Sequence, residues 1–490
     1  MQTTDSNNLF QSDAQHAKAS YRAAKVALHA ETGDPINLAS KPLRVVIRQK
    51  GNKEAEAWCA ESGFVVRRVG LESGKTKQIY RGHWGPVTSL DFFSISPSNT
   101  TKTPSKVPRQ VLVTGSWDKS VRLWDVQTKT HLSTTLAHTD FVKALIVIPS
   151  LQVLITGSSD KDIRVWDLSN LPSYNFDSLA TDTTPEVVEA YPNPPSTEFN
   201  PNVPIPTGAA PPTPKSLAPL PFIFSLKGHT RPIERLAYYQ VQEKGEEGQE
   251  DNDRARATTG AVAVVSADSL GALKTWELWR GKDGELRGEL RSDIRPHEIG
   301  IYDLLVGDGE IWTASADNSI LLSTFDPSSP ATPPTPTLRI PHPAGVKSLL
   351  PLALSMPSLN STHLLTGSTD ESIRIFNLSD LDDSANTIST STVPWVGLPA
   401  AGPLPGVVRE VDGHAHDVIE LGTFTKEVEG KREAWIMSAS LDGTLRRWRW
   451  PDMLKAPKER MVLIPVEEPV KENLLTEEEE RELEELMGED

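Results

Sequence analysis

The sequence predicts an all-β fold built from repeated four-stranded units, and three observations predict it. One pattern is written twice between Gly82 and Asp167: a histidine, a β-prone run, a Ser-x-Asp turn and a closing Trp-Asp. The turn aspartates of the two copies, Asp118 and Asp160, lie 42 residues apart. Weaker copies of the pattern continue on both sides. A period of about 40–45 residues with four strands per unit is typical of the blades of a β-propeller.

Composition restricts the class of protein and of partner. The chain has 490 residues, of which 66 are acidic and 50 basic, and its net charge is -16. This length suits one large repeat array with insertions. The negative charge disfavours nucleic acid and anionic lipid as ligands, so protein partners, basic segments among them, are expected.

The sequence contains little that points to targeting or to cysteine chemistry. Cys59 is the single cysteine, so neither an intrachain disulfide nor a cysteine-based zinc cluster can form. No apolar run approaches the ~20 residues that cross a bilayer. The first residues lack the basic and apolar regions of a secretory signal. We therefore expect no membrane association and a cytoplasmic or nuclear location.

The N-terminal part of the chain divides into an arm and a first blade. Residues 1–42 form the arm, in which an alanine-rich segment after Ser12-Asp13 predicts a helix up to Leu28. An alternative is that Lys25–His29 adds a strand to the last blade. Four β-prone runs from Leu43 predict a first blade that lacks the Ser-x-Asp and Trp-Asp positions.

Seven blades are predicted over residues 43–466, followed by an acidic tail at 467–490. The run at 461–466, Met-Val-Leu-Ile-Pro-Val, is a second candidate for the fourth strand of the last blade. In the tail, Thr476 and Glu479 form a capping-box pattern that predicts a short helix. A solvated tail and a partner-binding helix are both open interpretations of it.

The two strong copies resemble the WD-repeat family through Gly82-His83 with Trp124-Asp125 and Ala137-His138 with Trp166-Asp167. The resemblance implies that the His, a strand Ser or Thr, the turn Asp and the Trp of each blade are joined by hydrogen bonds. The complete sets implied are His83, Ser116, Asp118 and Trp124; His138, Ser158, Asp160 and Trp166; and His414, Ser440, Asp442 and Trp448. The sets incomplete at tryptophan are His229, Ser266 and Asp268; His297, Ser315 and Asp317; and His342, Ser368 and Asp370.

In the fourth blade Trp276 follows the aspartate by eight residues instead of six, which predicts a longer turn or a shifted register. Sets of Ser, His and Asp look catalytic, but their repetition argues for a structural role. The sequence holds no Gly-rich phosphate loop, GxSxG elbow or HExxH motif, so no cofactor and no catalytic residue is predicted. A metal at His414, His416 and Asp417 is disfavoured because alternate residues of an extended segment point apart.

Five insertions, at 94–109, 170–221, 241–259, 327–337 and 379–406, all follow the first or third strand of a blade. They therefore map to one face of the ring, and the opposite face keeps tight turns. One interpretation is that these Pro/Ser/Thr-rich and acidic segments are insertions tolerated at the protein surface. Phosphorylation or docking sites are the other.

The resemblance also implies that partners bind the tight-turn face, through residues beside each opening histidine and inside each Ser-x-Asp. The candidate contact residues are Trp84, Pro86, Trp117, Asp140, Phe141, Arg231, His416, Asp417 and Leu441. Trp84 and Trp117 are not demanded by the repeat, and aromatic residues dominate interface hot spots. Alternatively, the two tryptophans pack against each other and the N-terminal arm.

These observations predict a non-enzymatic scaffold or adaptor, monomeric within a multiprotein complex. One alternative is a regulatory or substrate-recognition subunit of a ubiquitin ligase, methyltransferase or phosphatase. Many ubiquitin-ligase receptors of the family carry Trp-Asp-x-Arg, and Gln127 and Ser169 stand where that arginine would be. Another alternative is a propeller enzyme with a site in the central channel.

Overall fold

In the part of the chain that the structure describes, 28 strands form seven antiparallel sheets of four strands each. The computed structural model describes residues 13–51, 53–95, 109–173, 217–242, 260–381, 404 and 406–455. The chain divides into a unit of residues 29–455, which holds all seven sheets, and a unit of residues 1–28 and 456–490. Of the second unit, only the helix α1 (Asp13–Leu28) is described. The predicted seven-bladed propeller is confirmed.

Six sheets consist of four consecutive strands that lie side by side in chain order. Blade 1 contains β2 (Pro42–Arg48), β3 (Glu56–Glu61), β4 (Val65–Gly70) and β5 (Thr76–Arg81). Blade 2 contains β6 (Val87–Ile95), β7 (Arg109–Ser116), β8 (Ser120–Asp125) and β9 (His131–Leu136). Blade 3 contains β10 (Val142–Ile148), β11 (Val153–Ser158), β12 (Ile163–Asp167) and β13 (Phe222–Leu226). Blade 4 contains β14 (Ile233–Gln240), β15 (Val262–Asp268), β16 (Leu273–Arg280) and β17 (Leu286–Ile294). Blade 5 contains β18 (Ile301–Gly307), β19 (Glu310–Ser315), β20 (Ser319–Thr324) and β21 (Thr335–Pro341). Blade 6 contains β22 (Val346–Pro351), β23 (His363–Ser368), β24 (Ile373–Asn377) and β25 (Val407–Val411).

Blade 7 draws its strands from both ends of the ring. Its first three strands are β26 (Val418–Val428), β27 (Lys431–Ser440) and β28 (Thr444–Arg449), and its fourth is β1 (Ile36–Asn37). The fourth strand therefore lies at Ile36–Asn37 and not at Lys25–His29, because residues 25–28 are helical. The other candidate, residues 461–466, lies outside the described residues.

Few helices accompany the sheets in the part of the chain that the structure describes. A one-turn helix, α2 (Leu352–Ser355), lies between the first two strands of blade 6, and another, α3 (Trp450–Met453), follows β28. The 3₁₀ turns among the described residues span Leu171–Ser173, Pro357–Leu359 and Leu378–Asp380. Among the described helices, none is long and apolar enough to cross a membrane.

The predicted insertions connect strands on the side opposite the tight turns. The segments 96–108 and 243–259 join the first and second strands of blades 2 and 4, and 174–216 and 382–403 join the third and fourth strands of blades 3 and 6; all four lie outside the described residues. In the fifth, at 327–337, residues from Thr335 onward already belong to β21.

The core consists of apolar clusters between neighbouring blades. The cluster between blades 2 and 3, for example, joins Val113 and Leu123 to Val142, Leu145 and Leu154. Corresponding clusters lie at each of the other blade contacts, including that between blades 7 and 1. The second strand of a blade is buried on both faces by this arrangement, and every residue of β11 is buried. Each blade therefore depends on its neighbours for its core.

Residues 29–35, the part of the N-terminal arm just before β1, have no regular secondary structure and cover the outer edge of β28. The backbone N–H of Arg447 donates to the carbonyl of Gly33 at 2.6 Å, and the guanidinium of Arg446 donates to the carbonyl of His29 at 2.8 Å. Gly33 has a φ of +68° and lies against the indole of Trp448, where a Cβ would come within 2.6 Å of the ring. Only glycine fits this position.

Arg447 joins the arm, blade 7 and blade 1. Its guanidinium donates to the carbonyls of Leu71 at 2.6 Å and Asp34 at 3.1 Å. It also forms an ion pair with the Asp34 carboxylate at 2.6 Å. Because Leu71 follows the third strand of blade 1, this one side chain fastens the first blade to the last.

We expect Arg447→Ala to lower the free energy of unfolding by roughly 3 kcal/mol, since several charge-assisted hydrogen bonds at the ring closure are lost together. Arg432→Ala is the matched control, because the exposed Arg432 donates one hydrogen bond to the carbonyl of Gly51. Urea denaturation of both variants measures the difference. Equal effects of the two substitutions would contradict the role given to Arg447.

Candidate functional site

A hydroxyl group joins the side chains of the repeated pattern in blade 2. The Nδ1 atom of His83 lies 2.8 Å from the Asp118 carboxylate, and its Nε2 atom lies 2.7 Å from Oγ1 of Thr114. The indole N–H of Trp124 donates to the same hydroxyl at 3.0 Å. Burial opposes ionisation of Asp118, but its contacts with His83 and Ser120 outweigh burial and lower the pKa of this carboxyl. Four buried polar groups thus satisfy one another.

The same set recurs in blade 3, with His138, Thr156, Asp160 and Trp166, and in blade 7, with His414, Ser438, Asp442 and Trp448. The sequence-based choice of Ser116, Ser158 and Ser440 as the linking hydroxyls is therefore wrong by two residues. Each of these serines ends its strand, where it donates to a loop carbonyl and accepts the turn aspartate's backbone N–H. Thr114 instead pairs with the residue two before Trp124 on the next strand, so it reaches the indole.

Blade 4 has a complete set in a shifted register. His229 lies 2.7 Å from the Ser266 hydroxyl and 3.0 Å from the Asp268 carboxylate, and Trp276 donates to Ser266 at 2.9 Å. Asp268 lies opposite Ile233, at the strand position that serine occupies in blades 2 and 3. The alternative of a shifted register is therefore the one observed. The expectation that this set is incomplete at tryptophan is wrong.

Blade 5 keeps the histidine and the aspartate but lacks the indole. His297 lies 2.8 Å from both the Thr313 hydroxyl and the Asp317 carboxylate. The predicted linking residue, Ser315, donates to loop carbonyls instead. Ser323 stands at the tryptophan position. Hydrogen bonds from His297 and Ser319 lower the pKa of Asp317 to about 2 against the effect of its burial.

In blade 6 the aspartate pairs with an arginine and not with the opening histidine. His342 contacts the Thr366 hydroxyl at 3.2 Å and the Ala344 carbonyl at 2.8 Å, whereas Asp370 pairs with Arg374 at 2.7 Å. The prediction that Asp370 and Ser368 partner this histidine is wrong, since Arg374 holds both residues. Burial, aided by the Arg374 charge, lowers the pKa of His342 to about 4, so the ring is neutral near pH 7.

Two loops meet in every blade at the tight-turn face. The residue between the serine and the aspartate donates its backbone N–H to the residue before the first strand, as Trp117 does to Pro86 at 3.0 Å and Leu441 to Asp417 at 3.1 Å. The corresponding donor in blade 3 is Ser159, and in blade 4, where the register is shifted, it is Ser269, which follows Asp268. This repeated bond fixes the predicted contact residues at the rim of the ring.

An aromatic patch, Trp84, Trp117 and Phe141, stands on blades 2 and 3. Trp117 stacks on Phe141 with ring centroids 5.1 Å apart and planes 18° from parallel. Trp84 is 50% exposed. The glycine between Trp84 and Pro86 lies against the backbone of Trp117, so both loops reach the same corner. Pro86 itself is buried, which removes it from the predicted contact set because it packs under this corner.

The other predicted contact residues lie at three places: beside the patch, on blade 4 and on blade 7. Asp140 is half-buried beside the patch, where one carboxylate oxygen accepts the Phe141 backbone N–H at 2.8 Å. Arg231 is exposed on the neighbouring blade 4. His416 and Asp417 contact each other at 3.0 Å on blade 7, beside the half-buried Leu441. The structure thus brings Asp140 to the aromatic patch and places the blade 7 residues beyond blade 1.

The first strands of neighbouring blades contact one another around the ring and line its axis. Each contains a β-bulge near its start, and the extra residue is Lys143 in blade 3, Glu234 in blade 4, Tyr302 in blade 5 and Lys347 in blade 6. Lys143 pairs with Glu234 at 2.5 Å, and the Lys347 ammonium lies 3.3 Å from the centroid of the Tyr302 ring. Burial lowers the pKa of Lys347.

One residue further along these strands, four charged side chains meet and form a charge bridge, Arg44, Arg235, Asp303 and Glu420. Arg44 lies 3.1 Å from Glu420 and 3.8 Å from Asp303, and Arg235 lies 3.7 Å from Asp303. They come from blades 1, 4, 5 and 7, so the contacts cross the ring. Burial raises the pKa of Glu420 to about 7, although Arg44 opposes the shift.

Comparison with known proteins agrees with this geometry. Residues 74–125 and 129–167 match the family model described as WD domain, G-beta repeat. The chain contains WD repeats. Each matched WD repeat starts with the last strand of one blade and continues through three strands of the next, β5 to β8 and then β9 to β12. Because the sequence repeat is offset from the blade, each of these two matched repeats holds two blades together.

Two relatives share part of the chain. An uncharacterized WD repeat-containing protein of Schizosaccharomyces pombe is 28% identical over 151 residues, which are 30% of this chain and 38% of the relative. A nuclear distribution protein of Postia placenta is 36% identical over 84 residues, which are 16% of this chain and 20% of that protein. The matched stretches therefore span less than half the length of either relative.

Sequence reasoning missed the charged residues at the axis of the WD-repeat ring. Lys143, Glu234, Tyr302 and Lys347 each follow their opening histidine by five residues, and Arg235, Asp303 and Glu420 follow theirs by six. Charges at these two positions of otherwise apolar strands were a detectable signal. Within the described residues, no group of His, Cys, Asp or Glu could hold a metal ion.

We expect Thr114→Val to destabilise the chain by about 3 kcal/mol, because it leaves both His83 and Trp124 buried without their hydroxyl partner. Thr313→Val in blade 5 is the matched comparison, since only His297 depends on that hydroxyl. Its effect should be about half as large. Denaturant titration measures both, and an effect in blade 5 equal to or above that in blade 2 would contradict this assignment.

The charge bridge predicts a dependence of stability on pH. Because the pKa of Glu420 in the folded state, about 7, exceeds the ordinary glutamate pKa of 4.5, the native state favours the protonated acid. Its contribution is complete below about pH 4.5 and is lost as pH rises through about 7. Glu420→Gln, which carries no titrating group, should therefore gain stability relative to the unsubstituted chain between pH 5 and 8.

Urea titrations at pH 5 and pH 8 measure this difference. Glu433→Gln is the control, since its hydrogen bond to Arg449 lowers the pKa of Glu433 and moves its titration below this window. A Glu420→Gln difference that stays constant between the two pH values would contradict the assignment.

Proposed function

We propose that this WD-repeat propeller is a non-enzymatic scaffold that binds a protein partner through the aromatic patch on blades 2 and 3. The observation that carries the proposal is the exposure of Trp84 beside the stacked pair of Trp117 and Phe141. Large aromatic side chains in a well-supported surface corner are the residue types that dominate binding energy in interfaces. The repeat does not require them, so stability of the blade does not account for them.

The chemistry of the patch favours a basic segment of the partner. Faces of tryptophan and phenylalanine attract ammonium and guanidinium groups, and the half-buried Asp140 carboxylate lies directly beside them. The net charge of -16 on the whole chain attracts a positively charged partner over longer distances. An arginine or lysine of the partner would stack on the aromatic patch and pair with Asp140.

The patch rests on rigid supports. The backbone N–H of Trp84 donates to the Asp118 carboxylate at 3.0 Å, and Trp117 stands between Ser116 and Asp118 in the turn. Both tryptophans are thus attached to the hydrogen-bonded set of blade 2. A preorganised surface of this kind loses little conformational entropy when a partner binds.

We expect the double variant Trp84→Ala and Trp117→Ala to lower recovery of the partner from cell extract at least about tenfold, because two hot-spot side chains are removed. Quantitative mass spectrometry of the purified complexes measures it. Trp279→Ala is the matched control, since this half-buried tryptophan lies near the end of β16, the third strand of blade 4, on the side of the insertions.

Asp140→Asn tests the basic character of the partner segment. Binding of a recovered partner should weaken and become less sensitive to salt, since one charge pair is lost. Recovery unchanged in the double variant would overturn the choice of surface. An unchanged salt dependence in Asp140→Asn would overturn the basic segment while leaving the surface in place. Recovery of a catalytic subunit would assign the scaffold to an enzyme complex.

A further inference from the structure

Helix α1 carries a narrow apolar stripe of the kind that seats a second helix. Ala14, Ala17, Tyr21, Ala24 and Leu28 follow one another at intervals of three, four, three and four residues. This spacing places them along one side of the helix, as in the a and d positions of a heptad. Tyr21 is 49% exposed and Ala24 is exposed, whereas Leu28 is half-buried.

A helix of this length needs support from outside itself. Isolated helices of about 12–15 residues are marginal in water even when rich in alanine, and α1 has 16 residues. The small side chain of Ala24 in this stripe allows another helix backbone to come close. Lys18 flanks the stripe at an e position, where coiled coils place charges that select the partner.

The chain itself contains a matching segment at residues 476–487, which lie outside the described residues. The sequence predicts a short helix there, with Leu483, Leu486 and Met487 on one side. The segment contains seven glutamates and one arginine, whereas α1 contains three basic residues, Lys18, Arg22 and Lys25, and one aspartate. The two apolar stripes are therefore flanked by charges of opposite sign.

The N-terminal end leaves the propeller at blade 7, and the C-terminal end follows blade 7 and contacts Arg409 of the neighbouring blade 6. The carbonyl of His29 accepts a hydrogen bond from Arg446, and that of Lys455 accepts one from Arg409. The 20 residues from 456 to 475 reach up to ~60 Å when extended, against ~20 Å for the six residues of β28. Tethering at neighbouring blades gives the two segments an effective concentration on the order of millimolar.

We propose that residues 476–487 bind as a helix along the stripe of α1, so that the two ends of the chain form a helical pair. A second copy of α1 is a poorer occupant, since it would bring the basic flank of one helix against a partner with a single acidic residue. The C-terminal segment supplies both the apolar contact and the acidic flank.

Hydrogen exchange of the α1 amides, followed by mass spectrometry, tests this pairing. In a chain ending at Val470, and in the triple variant Leu483→Asp, Leu486→Asp and Met487→Asp, we expect α1 to exchange at least about tenfold faster than in the full chain. Arg481→Ala with Glu485→Ala is the control on the opposite side of the segment and should leave exchange unchanged. Strand β11 reports whether the propeller itself is intact.

A peptide of residues 471–490 provides the complementary experiment. Added at millimolar concentration to the chain ending at Val470, it should restore the slow exchange of α1. Equal α1 exchange in the full and shortened chains would overturn the proposal. So would protection of α1 in the shortened chain that increases with protein concentration, because that outcome identifies a second copy as the occupant.

Discussion

Closure of the ring by the pairing of β1 with β28 is the constraint on which the rest of the structure depends. The apolar clusters lie between blades, so an open ring would expose the facing surfaces of blades 1 and 7. The paired strand is only Ile36–Asn37, too short to hold this joint by backbone hydrogen bonds alone. Arg446 and Arg447 supplement it by binding carbonyls of the arm and of blade 1. Long-range side-chain bonds thus replace a regular fourth strand.

The charge bridge gives the ring a second set of long-range contacts, at its axis. Arg44, Arg235, Asp303 and Glu420 are separated by up to 376 residues in the chain, yet they meet within 4 Å of one another in successive pairs. Moving these charges out of water is costly, and burial raises the pKa of Glu420 accordingly. The bridge is therefore a source of specificity in blade arrangement more than of net stability.

Much of this fold was predictable because the same sequence pattern recurs in several blades. Four strands per blade, seven blades and the opening histidines follow from the period, the β-prone runs and the turn signals. The linking hydroxyl was placed two residues late, at Ser116 instead of Thr114, because only the register of β7 against β8 tells which hydroxyl faces the indole. Pro86 was misjudged since burial at a loop depends on the neighbouring blade.

The charge bridge and the anchoring of the arm were beyond sequence reasoning for a related reason. Their members lie in different blades, and no local spacing connects Arg44 with Asp303 or Arg447 with Leu71. Ring geometry alone brings such residues together. The repeat also conceals differences between blades, such as the replacement of the His342–Asp370 contact by the pair of Asp370 with Arg374.

The distribution of the hydrogen-bonded sets bears on where a partner would bind. Blades 2, 3, 4 and 7 have complete sets, and blades 2 and 3 among them carry the aromatic patch, whereas blade 5 lacks the tryptophan and blade 6 lacks the His–Asp contact. A binding surface works best when the residues below it are fixed by packing and hydrogen bonds. The backbone N–H of Trp84 donates to Asp118, the partner of His83, and Trp117 is the residue before Asp118 in the turn. The side chains that make the repeat recognisable thus serve as the support, and the residues that differ from blade to blade supply the surface.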